Sequence, residues 1–150
     1  MQRSEKTKGR AITGFGVCLL MVLTFALFFY FNFRTVVVSG VSMSPTLGNG
    51  QRVLVSSAYW LVGPIRRKDI VVVRDEGPTG YMIKRVYRLP GESVDWLNSP
   101  DEHSLLAENE FTVPNGKLYV LGDNRSSSDD SRRIGPVNMD QVIGKVVVRP

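Results

Sequence analysis

Tyr81-Met82-Ile83-Lys84-Arg85-Val86-Tyr87, stopped at once by Leu89-Pro90-Gly91, is the stretch from which the rest of the chain can be read. Aromatic and β-branched residues fill it, as suits a pleated, half-buried surface, and Pro-Gly marks a turn. Successive side chains of a strand point to opposite faces, so Met82, Lys84 and Val86 share one face and Arg85 points away. Similar runs lie at 35–38, Arg52–Ser56, Ile70–Arg74, Lys117–Leu121 and Val142–Val148. Gly48-Asn49-Gly50, Gly77-Pro78 and Pro114-Asn115-Gly116 punctuate them. Short strands with regular turn signals predict a mainly β domain over residues 35–150, a compact antiparallel sheet or barrel-like structure. Residues 57–62 are expected to form a short turn of helix. From 93 to 115 the pattern weakens into polar and acidic residues, which predicts a variable surface insertion.

The segment before this domain is of another kind. Residues 11–33 carry no charge and are dominated by Leu, Phe, Val and Met. As a helix these 23 residues span roughly 35 Å, enough for a hydrocarbon core of about 30 Å. The run exceeds a signal-peptide core, and Phe31-Asn32-Phe33-Arg34-Thr35 lacks a small-x-small cleavage pattern, so it is expected to be an uncleaved transmembrane anchor. Arg3, Lys6, Lys8 and Arg10 fall in a basic segment, residues 1–10, opposed only by Glu5. The positive-inside rule then puts that segment in the cytoplasm and the β domain across the membrane.

The net charge of +5 comes partly from this topology signal. The remaining cations, such as Arg66-Arg67-Lys68 and Arg132-Arg133, are scattered among acids without an aromatic platform, so no nucleic-acid partner is expected and lipid headgroups suit them better. Cys18 is the single cysteine and lies in the apolar run, so no internal disulfide forms. With His103 the single histidine, a zinc site of ordinary spacing is ruled out, and neither metal nor cofactor is expected.

A serine peptidase needs a hydroxyl, a base and donors for the oxyanion. His103 lies in the acidic insertion and is a poor candidate base. Lysine can serve when burial in an apolar site keeps it neutral, and Lys84 has apolar neighbours on its strand face. On its own, such a lysine reads more readily as a surface residue with its stem on the sheet. The run Val38-Ser39-Gly40-Val41-Ser42-Met43-Ser44-Pro45-Thr46-Leu47 offers a serine beside glycine and proline, and physical reasoning balances a reactive loop against an ordinary one.

Ser-Gly-Val-Ser-Met-Ser-Pro-Thr-Leu, residues 39–47, closely resembles the nucleophile box of type I signal peptidases. Lys68-Asp69-Ile70-Val71-Val72-Val73 resembles their next box, and the run from Tyr81 to Glu92 the box with the lysine base. Gly122-Asp123-Asn124-Arg125-Ser126-Ser127-Ser128-Asp129-Asp130-Ser131-Arg132-Arg133-Ile134-Gly135 is similar to the last box. The resemblance implies Ser42 as nucleophile, Lys84 as base and Ser128 as the group that orients the lysine. It implies that Arg85, Asp123, Asp130 and Arg132 are structural ion-pair members. Gly40 and Ser42 would supply backbone to the oxyanion and the substrate. Lys68 and Arg88 stand where the family has glycine, and Ser126-Ser127 replaces an Asp-Asn pair.

The function implied by this resemblance is that of a membrane-bound serine endopeptidase that removes signal peptides from exported preproteins after small-x-small motifs. Its substrate would add a strand beside residues 36–40 and 81–83. The expected partners are signal peptides, the bilayer and the secretion translocon. The expected location is a bacterial cell membrane, with mitochondrial inner and thylakoid membranes as alternatives. Two other readings are a non-enzymatic membrane-tethered homologue that assists pilin or surface-protein assembly, and a self-cleaving Ser/Lys protease of the SOS-repressor type.

Overall fold

The computed structural model describes residues 3–100 and 111–148, in two units, 1–34 and 35–150. His103 and most of the 93–115 insertion lie outside the described residues. In the first unit, helix α1 runs Arg3–Asn32 and so takes in the basic segment from Arg3 onward, whose Lys, Arg and Glu are good helix formers. Its stretch Gly14–Asn32, 19 residues of mean hydropathy 2.3, is long and apolar enough to cross a membrane. The Thr24 hydroxyl donates to the Leu20 carbonyl and the Asn32 amide to that of Phe28, so both polar side chains bond within the helix. Phe33 belongs to the following strand, one residue earlier than the end expected for the anchor.

The second unit is mainly β: a curled antiparallel half-barrel, as the sequence predicts. The strands are β1 (Phe33–Val37), β2 (Arg52–Ser56), β3 (Ile70–Arg74), β4 (Tyr81–Arg88), β5 (Ser93–Val94), β6 (Phe111–Thr112), β7 (Lys117–Leu121), β8 (Val137–Asn138) and β9 (Val142–Val148). Among the described residues two short α-helices, α2 (Tyr59–Val62) and α3 (Ser131–Ile134), lie between strands. The main sheet has the order β1-β2-β9-β3-β4-β7-β8, so β9 inserts between β2 and β3. Irregular register at Leu54/Val55, Val72/Val73 and Val86/Arg88 interrupts the ladders, and such bulges increase twist and bend a sheet.

Strand β3 explains why the sheet must curl. Ile70 and Val72 enter one apolar cluster with Val38, Met43, Leu47, Val53, Val55 and Ile83, while Val71 and Val73 enter another with Val86, Leu118, Val120 and Val137. Covering both faces buries Ile70–Val73 completely, and each such side chain contributes about 1.5–3 kcal/mol. The start of the 93–115 insertion is tied down as well. Ser93–Val94 pairs with Phe111–Thr112, and Val94 and Val113 are buried against Tyr119 and Leu121.

Two departures from the family boxes have visible consequences. Arg88 Nε donates to the Ser93 carbonyl and its guanidinium stacks 4.1 Å over the Tyr87 ring, holding the base of the insertion against β4. Lys68 has φ +71°, the left-handed region that side chains other than glycine's avoid. It is held there because its amide donates to the Val86 carbonyl while its own carbonyl accepts from Arg85 Nη1. Lys68→Gly is therefore expected to stabilise the fold by about 0.5–1 kcal/mol, the steric relief exceeding the added freedom of the unfolded chain. Denaturant unfolding in detergent checks this, and an unchanged or lower midpoint refutes it.

Candidate active site

The segment after β1 is built around two buried anchors. Met43 and Leu47 are 1% and 0% exposed, and they fix the chain on either side of a tight run that includes a cis peptide bond between Ser44 and Pro45. The Ser44 amide donates to Val41 O and the Leu47 amide to Met43 O. Gly40 has φ +86°, a conformation that suits glycine. Ser42 is presented at the bend between these constraints.

Across from it stands Lys84 on β4. Met82 and Val86, on the same strand face, pack in the second apolar cluster, and Lys84 itself is only 4% exposed. Its Nζ donates to Ser42 Oγ at 3.0 Å. Burial pushes the Lys84 pKa below the ordinary lysine value, and it does so against the pull of Asp130, Asp129 and Asp75, which favour the charged form. The geometry therefore joins a serine hydroxyl to a lysine that gives up its proton more readily than an exposed one. Such a pair can transfer the serine proton and support nucleophilic attack.

Two ion pairs brace the surroundings. Arg85, on the opposite face of β4 from Lys84, grips Asp123 through Nε at 2.7 Å and Nη2 at 2.5 Å. Burial would push the Asp123 carboxyl up, but its hydrogen bonds to Arg85 and Thr46 outweigh this and hold it below its ordinary value. Asp130 is wholly buried and bonds Arg132 Nε at 2.9 Å and the Gly122 amide at 3.0 Å. Here too burial pushes up and the hydrogen bonds prevail, leaving a carboxylate held below its usual range.

Ser128, the group that the resemblance assigns to orienting the lysine, lies in the same box. Its Oγ is buried and makes no hydrogen bond, to Lys84 or to any other described residue. It lies near enough to Asp130 to strengthen that acid slightly, and it packs onto Gly122. The backbone donors also separate. The Gly40 amide is taken by Asn49 Oδ1 at 2.9 Å, whereas the Ser42 amide has no partner among the described residues. Along the expected docking strand, Val38 bonds inward to Gln51 and Gly50. Ser39, beside it, is exposed.

Three residues of the last box matter more than their types announce. The Asn124 amide donates to Ser42 O at 2.9 Å and its side chain to Val41 O, clamping the reactive loop from behind. Ser131 Oγ accepts from the Val120 amide and ties α3 to β7. Gly122 lets Ser128 and the Ser42 carbonyl come within 3 Å of where a Cβ would stand. The composition of the box signals only a turn, and these contacts run through backbone that no pattern reports.

A curled antiparallel sheet that sets a serine hydroxyl 3.0 Å from a buried lysine has the groups that a serine hydrolase needs. Residues 11–101 and 97–149 match the family described as signal peptidase, peptidase S26, and the chain belongs to that family. It is similar to signal peptidase I of Bacillus caldolyticus, 35% identical over 99% of this chain and 94% of that protein. It is also similar to signal peptidase I U of Bacillus subtilis (strain 168), 31% identical over 96% of this chain and 88% of that protein. A crystal structure of a signal peptidase I from Enterococcus faecalis V583 shares 28% identity over 56% of this chain and 97% of that one, with a TM-score of 0.40.

Proposed function

We propose that this protein is a membrane-anchored signal peptidase, a serine endopeptidase that cuts signal peptides from exported preproteins after small-x-small motifs. The observation that carries the reading is the 3.0 Å hydrogen bond between Lys84 Nζ and Ser42 Oγ at a site where the lysine is buried.

In this reading neutral Lys84 takes the Ser42 proton as Oγ attacks the scissile carbonyl, and the Ser42 amide receives the oxyanion. Collapse breaks the peptide bond and leaves an ester on Ser42, while the Lys84 ammonium returns its proton to the departing amine. Water, deprotonated by Lys84, then hydrolyses the ester. Ser128 retains the orienting role as a buried acceptor available to the ammonium form of Lys84. Arg85–Asp123 and Asp130–Arg132 hold the loops at fixed distance. The substrate strand docks beside Ser39. The basic segment of α1 lies in the cytoplasm and the peptidase unit on the far side of the membrane, near the translocon from which preproteins emerge.

The test is incubation of the full chain, in detergent, with a preprotein panel, mapping new N-termini by mass spectrometry. New ends after small-x-small motifs are expected, and none with Ser42→Ala. Cleavage should also fall as the pH drops through the depressed Lys84 pKa, since protonation removes the base. Cleavage that persists in Ser42→Ala, or that rises toward acid pH, argues for other chemistry.

A further inference from the structure

The cavity that holds the reactive pair has an electrostatic character of its own. It encloses about 290 Å³, and besides Ser42 and Lys84 its wall includes Asp75 and Asp129. Asp75 follows β3, and its amide donates to Gly80 O in the turn into β4; its carboxylate has no salt bridge to any described residue. Asp129 comes from the last box and meets Arg133 on the exposed surface. The rest of the wall is neutral: Ser39, Gly40, Val41, Met82, Ser127 and Ile134. Asp130 lies outside this wall and is committed to Arg132 and Gly122. Lys84 is therefore the one cation among the described residues of the lining, and the reaction needs it neutral. In the working state the cavity is bounded by two carboxylates with no positive charge between them.

A substrate must thread its scissile bond past Ser42, so the residues adjoining the cut lie in or at the mouth of this cavity. We infer that Asp75 and Asp129 set charge specificity there, favouring a cationic over an acidic side chain at a preprotein position next to the cut. The inference rests on the signal-peptidase reading above. Each exposed carboxylate acts through water and is weak alone, so the Lys-over-Glu preference expected from the two together is roughly fivefold to tenfold in kcat/KM.

The test uses the full chain in detergent and preproteins identical except for Lys, Gln or Glu at the second residue before the cut or at each of the three residues after it, the small residues of the motif being kept. Wild type is expected to cleave the Lys substrate faster than the Glu substrate at one or more positions. The ratio should fall stepwise in Asp75→Asn, Asp129→Asn and the double variant, and should shrink in high salt as screening grows. A preference that survives in the double variant, or no preference at any position, overturns the assignment while cleavage itself continues. No cut in any preprotein overturns the reading beneath it, and the assignment with it.

Discussion

Lys84→Met is expected to abolish cleavage and, in the same molecule, to make the fold more stable. Loss of the base removes the group that activates Ser42, and turnover should fall by about 10⁴-fold or more if serine and lysine act as a unit. Stability moves the other way because Lys84 is buried and held below its ordinary pKa, with burial the first cause. Between its folded pKa and the unfolded value near 10.5 the unfolded chain binds more protons, so stability rises with pH through that window. Below the window both states carry the charge, and the folded chain bears the whole desolvation cost. Methionine has a similar length and no charge, so its gain, about 1–2 kcal/mol, is full at low pH and vanishes as pH approaches 10.5. Thermal unfolding of both proteins across pH, in the same detergent, measures the difference. A variant that still cleaves, or a gain that grows with pH, contradicts the assignment.

This antagonism shows why the site resisted a purely local reading. Lys84 sits on a strand face whose pattern is equally that of a surface lysine, and the three-dimensional fact that excludes this is its burial in the folded unit. The strands themselves were more legible. Arg52–Ser56, Ile70–Arg74, Lys117–Leu121 and Val142–Val148 occur with the bounds expected, because Val and Ile runs between turns specify strands locally. Their partners were not legible: nothing in Val142–Val148 states that it inserts between β2 and β3. The two-residue strands Ser93–Val94 and Phe111–Thr112 are too short to show a period, and they are fixed by Tyr119 and Leu121 elsewhere in the chain. Lys68 was visible as a departure from glycine, but its left-handed φ supplies the reason glycine belongs there.

Gly122→Ala should be nearly as damaging to activity as substitutions in the reactive pair's immediate support, although Gly122 has no side chain to contribute. A Cβ there would collide with Ser128 Oγ and stand 2.6 Å from Ser128 Cβ and 2.7 Å from the Ser42 carbonyl oxygen. Contacts below 3 Å force movement, and neither of the two residues that make them yields cheaply. The Ser42 carbonyl is backbone and already accepts from the Asn124 amide, and Ser128 is packed beside Asp130, whose carboxylate holds the Gly122 amide. Overpacking of this kind is expected to cost about 3 kcal/mol. The displaced Ser42 loop would also carry Oγ away from Lys84 Nζ, and a misplacement of about 1 Å is expected to lower turnover roughly 100-fold. Turnover per folded molecule, measured well below the unfolding transition, separates the two effects. Adding Ser128→Gly removes both Ser128 contacts but leaves the Ser42 carbonyl, so it should recover part of the stability and little of the activity. Full recovery of activity in that double variant would show that Ser128, rather than the position of the Ser42 backbone, is what Gly122 accommodates.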